Sequence, residues 1–193
     1  MARNSLMPIF VAVATVVGIM GITLAVVYKQ EGQRAADLFA SMPTPGLTVL
    51  EQPRPAPDVT FKDGSGQDVR LESLRGKLVV INLWATWCGP CVQEMPSLDR
   101  LGKAMAGPRF AVFAVSEDIN ADMARKFHHS SKLGNLALYL DPGQALTHAL
   151  NAQGLPTTVV IDGQGRILAQ AIGATEWDSA EMIERLKKWL PAS

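Results

Sequence analysis

The chain has 193 residues, 48% of them apolar, and its 18 lysines and arginines are balanced by 18 aspartates and glutamates. That length suits one domain with a sizeable core plus an appendage. A formal net charge of zero, with the basic residues scattered, provides no cationic face for a phosphate backbone and excludes nucleic-acid binding from the reading.

A short tail, residues 1–7, leads into residues 8–28 (PIFVAVATVVGIMGITLAVVY), which carry no charge over 21 positions. At helical rise such a stretch crosses the roughly 30 Å of bilayer hydrocarbon, and it has no polar face to mark it as a buried globular helix. It is longer than the apolar core of a signal peptide, Thr23-Leu24-Ala25 matches a cleavage site poorly, and Tyr28, Lys29 and Gln30 look like an interfacial anchor. The expectation is an uncleaved, single-pass signal-anchor. Arg3 and the terminal amine nearly balance Lys29 and Arg34, so the positive-inside rule does not orient it. Residues 29–58 read as a linker. Residues 31–40 suit a short helix, and Pro43, Pro45, Pro53, Pro55 and Pro57 make 41–58 stiff and poor in hydrogen-bond donors.

A globular pattern runs from 59 to 190. Residues 59–61 and 67–71 flank Asp63-Gly64-Ser65-Gly66 and predict a β-hairpin. Leu78 to Trp84 is a continuous apolar run of the length of a central strand covered on both faces. A helix follows from about Pro90 to Met105, with Val92, Met95, Leu98 and Leu101 along one side and a kink expected at Pro96. Phe110 to Val115 reads as a second buried strand, 120–132 as helix, 137–140 as strand and 144–150 as helix. Residues 157–161 and 166–171 flank Asp162-Gly163-Gln164-Gly165, a second hairpin signal. The last helix is expected to start with Asp178 as N-cap and Glu181 completing a capping box, with Met182, Ile183, Leu186 and Leu190 as its apolar stripe. Strands alternating with helices, then a hairpin and a closing helix, predict an α/β sandwich with a mixed sheet.

The two cysteines, Cys88 and Cys91, both fall in Trp87-Cys88-Gly89-Pro90-Cys91, between the apolar strand and the helix. At a helix start, free N–H groups and the positive end of the dipole favour the Cys88 thiolate, making it the nucleophile. Cys91, one turn on, is the resolving thiol. Pro90 is tolerated in the first turn, where its missing N–H has no acceptor to lose. A zinc site would need ligands beyond the two thiols, and only His128, His129 and His148 remain. A purely structural disulfide would close too short a loop to add much stability. Trp84 is expected in the core, Trp87 exposed beside Cys88 as an apolar surface for a client, and Trp177 and Trp189 as packing residues.

Val79 to Cys91 (VVINLWATWCGPC), joined to Gly154-Leu155-Pro156-Thr157 before a strand, resembles the thioredoxin superfamily. Glu94-Met95-Pro96 and the hairpin strand from Thr157 further resemble its membrane-anchored TlpA/ResA/CcmG branch, over residues 55–190. The resemblance implies a redox-active Cys88–Cys91 disulfide, a cis Leu155–Pro156 bond packed against the sulfurs, and Leu155 backbone pairing with an extended substrate. Between Cys91 and Pro156 lie more residues than a minimal thioredoxin uses, and 120–140 is expected to be an inserted αβ unit. Where thioredoxin keeps a buried aspartate this chain has Asn82, which cannot carry a proton. Glu94, one turn beyond Cys91, is the candidate proton shuttle, its alternative being a solvated helix carboxylate.

The resemblance implies a periplasmic protein-disulfide reductase held at the cytoplasmic (inner) membrane and needing no cofactor. Its clients would be proteins with CxxC or CxxCH motifs or copper-site cysteines, in cytochrome c or cytochrome oxidase biogenesis. Its reductant would be a transmembrane carrier of the DsbD/CcdA kind. Two other readings stand beside this one: a copper chaperone holding Cu(I) with Cys88, Cys91 and a histidine, and a non-catalytic adaptor.

Overall fold

The computed structural model describes residues 26–30 and 46–192. The uncharged segment 8–28 lies outside the described residues except for its last three, and so does most of the stretch expected to link it to the domain. Residues 26–30 are helical and exposed; among the described residues no helix is long and apolar enough to cross a membrane.

The domain is built on one eight-stranded mixed sheet. In chain order the elements are β1 (Thr48–Pro55), β2 (Thr60–Asp63), β3 (Asp68–Arg70), a 3-10 turn (Leu71–Leu74), β4 (Leu78–Trp84), α1 (Gly89–Ala104), β5 (Phe110–Ser116), α2 (Ala121–Ser130), β6 (Ala137–Leu140), α3 (Ala145–Leu150), β7 (Thr157–Ile161), β8 (Arg166–Ile172) and α4 (Ala180–Lys187). Across the sheet the strands run β1-β8-β7-β4-β5-β6-β2-β3. β4, β5 and β6 are parallel; every other pairing is antiparallel.

β4 is buried along its whole length, which is why its sequence lacks the polar alternation of a one-sided strand. Its residues still sort by face. Leu78, Val80 and Trp84 join Met95, Leu98 and Leu101 of α1, Ala124 of α2, and Met182 and Leu186 of α4. Val79, Ile81 and Leu83 join Phe61 of the hairpin and Leu146 and Leu150 of α3. Period-2 geometry therefore puts Asn82 on the α1 side of the sheet. The segment 120–140 forms α2 and β6, a crossover that lays β6 parallel to β5. Pro96 lies inside α1, which runs unbroken past it.

Both Asp-Gly-x-Gly turns close in the same way. Asp63 Oδ1 accepts the backbone N–H groups of Ser65 and Gln67, Asp162 Oδ1 accepts those of Gln164 and Arg166, and the second glycine of each turn has positive φ (92° at Gly66, 79° at Gly165).

Two local readings are corrected. Residues 48–55, read as linker, form β1, paired antiparallel to β8 with a register shift between Val49 and Arg54. Proline is admissible there because β1 is an edge strand, where one row of N–H groups has no ladder partner. The cap of α4 is Ser179, whose hydroxyl accepts from Met182 N at 3.2 Å. Asp178 instead turns to Arg100 on α1.

Candidate active site

The site assembles where β4 ends. Beyond Trp84 the chain turns through Ala85 and Thr86, with Cys88 N donating to Ala85 O at 3.1 Å, and α1 starts at Gly89. The turn is held from β5's end. Asp118 accepts from Thr86 N at 3.0 Å and Thr86 Oγ1 at 2.8 Å, and is itself fixed by Ser116 Oγ at 2.8 Å. Glu117 N donates to Trp84 O at 2.8 Å. This clamp presents Trp87, 70% exposed, beside the first cysteine.

Cys88 and Cys91 are joined as a disulfide. Cys88 is the N-cap of α1, and its sulfur accepts the N–H of Cys91 at 3.3 Å. Once the bond is reduced, that N–H and the helix terminus stabilise negative charge on Cys88. Cys88 retains 6% exposure and Cys91 none, so an incoming disulfide meets Cys88 first. The Leu155–Pro156 peptide bond is cis, with Pro156 buried ahead of β7. Leu155 packs against the cluster that contains both cysteines, and together with Trp87 it lines a cavity of about 190 Å³.

Glu94 is not a solvated helix carboxylate. It is 4% exposed and accepts three N–H donors: Asn82 Nδ2 at 2.7 Å on Oε1, then Thr175 N at 2.9 Å and Trp177 Nε1 at 3.0 Å on Oε2. Burial pushes its pKa above the ordinary carboxylate range, and the three donors pull it part of the way back. Asn82 bridges, its second N–H reaching Thr158 Oγ1 on β7 at 2.8 Å. The asparagine thus orients the acid rather than replacing it. Trp177, read as packing, is also one of Glu94's donors.

Sequence reasoning missed Glu117 as well. It lies at the C-terminal end of β5, 2% exposed, on the cavity shared by Trp87 and Leu155. Burial pushes its pKa up to about 8; the nearby Thr147 hydroxyl lowers it and Asp141 raises it. A signal was present: two acids follow directly on an apolar strand, and in α/β sheets ligands gather at the carboxyl ends of strands. Among the described residues no group of three or more His, Cys, Asp or Glu is arranged to hold a metal ion. His128 is engaged elsewhere, its Nε2 lying 2.5 Å from Leu136 O.

A dithiol at the N-terminus of a helix, set on a mixed α/β sandwich beside a cis-proline loop, defines a thiol-disulfide oxidoreductase of thioredoxin type. The AhpC/TSA family profile matches residues 53–170. Thioredoxin-like protein YneN of Bacillus subtilis is 33% identical over 140 residues, 71% of this chain and 79% of that protein. Thiol-disulfide oxidoreductase ResA of Bacillus thuringiensis is 30% identical over 136 residues, 70% of this chain and 77% of that protein. A Chlorobium tepidum structure assigned as thiol:disulfide interchange protein DsbE superimposes with a TM-score of 0.66 at 27% identity, covering 74% of this chain and 99% of that one. The chain belongs to the thioredoxin superfamily, within the ResA/DsbE/TlpA-like family of thiol-disulfide oxidoreductases.

Proposed function

We propose that this protein is a membrane-anchored reductase of specific protein disulfides, its domain in the periplasm and residues 8–28 in the cytoplasmic membrane. The observation that carries the reading is the asymmetry of the two sulfurs: Cys88 is slightly exposed at a helix N-terminus, and Cys91 is sealed behind it.

The Cys88 thiolate attacks one sulfur of a client disulfide, forming the mixed disulfide and releasing the client's other sulfur as a thiolate that takes up a proton. The Cys91 thiolate then attacks Cys88 Sγ; the Cys88–Cys91 bond forms and the second client sulfur leaves. Two electrons have passed to the client. Glu94 takes the proton that Cys91 gives up, burial making its carboxylate a better proton acceptor than an ordinary one. Leu155 and Trp87 hold the extended client. The oxidised pair is reset by a transmembrane dithiol carrier of the DsbD/CcdA kind. Clients are polypeptides with CxxC or CxxCH motifs, as in apocytochrome c, or with the paired cysteines of a copper centre.

The test is trapping in the cell. Cys91→Ala strands the Cys88 mixed disulfide, and the expected captives are proteins with paired cysteines. In vitro, the reduced full chain reduces a disulfide-bridged CxxCH peptide. Inactivity on both that peptide and insulin, together with stoichiometric Cu(I) uptake, would establish the copper-chaperone reading in its place. Normal function of a Cys88→Ser chain would establish the adaptor.

A further inference from the structure

The cavity beside the disulfide has a rim and a floor of opposite character. Trp87 and Leu155 form apolar walls at the mouth, Gln144 and Gln153 add amides, and Glu117 and Thr147 lie deeper. The Thr147 hydroxyl lies near enough to act on the Glu117 carboxyl but falls short of hydrogen-bond geometry, so neither carboxylate oxygen nor Thr147 Oγ1 has a well-formed partner, although all three atoms are buried. Such a group is costly to keep unless something completes it. The neighbouring acids do not share the deficiency. Asp118 is satisfied by Thr86 and Ser116, and Asp141 accepts Leu146 N at 2.7 Å. Yet among the described residues none of these three buried acids is ion-paired with a basic side chain.

We propose that this cavity is a subsite for a basic side chain, lysine or arginine, of the client polypeptide, with the Glu117 carboxylate receiving the cation and the Trp87 ring covering its stem. The proposal rests on the reading of the protein as a client reductase and adds what it selects. Buried beside Asp141, Glu117 keeps its proton in the free protein, and only a cationic side chain compensates the charge it takes on when it ionises, which neither a neutral nor an acidic side chain does. The exposed indole face suits a cation or the methylenes behind it. A cation brought against Glu117 favours its charged form, so the acid ionises as the client binds. Because the same cavity touches Leu155 and Trp87, a side chain seated there lies a short way along the client from the cysteine under attack.

The test compares three disulfide-bridged CxxC peptides, identical but for lysine, norleucine or glutamate flanking the first cysteine. The full chain and its Glu117→Gln variant are used, with kcat/KM and KM read separately. The expected result is a preference for lysine over norleucine of about tenfold, with glutamate lowest, expressed in KM and collapsing toward unity in Glu117→Gln. Equal rates on all three peptides overturn the subsite and leave the reductase standing. Reduction of none of them overturns the reductase reading and the subsite with it. A lysine preference undiminished in Glu117→Gln overturns the role given to Glu117. Because the peptide series on the unmodified chain is decisive alone, a poorly folded variant does not rescue the idea.

Discussion

Two buried acids near the disulfide, Glu94 and Glu117, show how differently one side-chain type is used within a single site. Glu94 is held by three N–H donors, and Glu117 by none. Trp177→Phe removes the indole donor and leaves a buried carboxylate under-solvated, an effect on the order of 1–3 kcal/mol. Its folded pKa, already raised by burial, rises further. An acid whose folded pKa is raised contributes stability below its unfolded pKa and loses it as pH climbs through the folded one. Destabilisation by Trp177→Phe is therefore larger at pH 8 than at pH 5, as urea midpoints at the two values will show. For Glu117 the window runs from the ordinary 4.5 up to about 8. Across it the native state holds a proton that the unfolded chain has lost, and stability falls by at most about 1.4 kcal/mol per pH unit. Glu117→Gln removes that slope, so the variant gains on the parent as pH rises. Urea unfolding of the oxidised protein at intervals from pH 4.5 to 8 measures it, and parallel curves would sink the argument.

Among the elements, those whose period and length agree were legible in the sequence. β4, β6 and β7 occupy the expected residues, and α1 differs by one residue at each end, because a continuous apolar run or a 3.6-residue stripe has one good solution. β1 was not legible. Most of its residues are exposed, so no alternation marks it, and its prolines argue for linker until the partner strand β8 is known. The redox pair and the proline loop were legible because their chemistry is local. The donors to Glu94 were not, since Thr175 and Trp177 come from a loop about 80 residues away that only tertiary packing brings near. The cap of α4 was misplaced by one position because Asp178 and Ser179 are both good N-caps, and Arg100 on α1 claims the aspartate. The two residues are therefore separable. Ser179→Ala loses the hydroxyl acceptor and costs about 1 kcal/mol. Asp178→Ala loses an exposed ion pair with Arg100 and costs less, about 0.2–1 kcal/mol. Thermal unfolding of the two single variants ranks them; the reverse order would restore Asp178 as the cap.

For the whole molecule, the proposed setting depends on joining a redox domain that begins near residue 45 to an uncharged stretch that ends at 28. The 16 residues from 29 to 44 span at most about 55 Å when fully extended, which is the longest tether they can provide between an anchor ending at 28 and the start of the domain. Tethering of that kind raises the effective concentration of Cys88–Cys91 toward a membrane-embedded reductant without any new contact. It leaves reaction with a freely diffusing peptide unchanged. Arginines at Val16 and Val17, in the middle of the stretch, each cost about 2.5–3.5 kcal/mol of insertion. The expected outcome in cells is that the doubly substituted chain, its signal-anchor disabled, leaves the membrane fraction and stays in the cytoplasm with Cys88 and Cys91 reduced, read by alkylation shift. The purified variant, reduced chemically, still turns over a CxxC peptide at the parent rate. Extraction of the unsubstituted chain by carbonate alone would remove the anchor. Failure of a membrane-impermeant maleimide to reach reduced Cys88 in spheroplasts would place the domain on the opposite side, and with it the reductant that resets the pair.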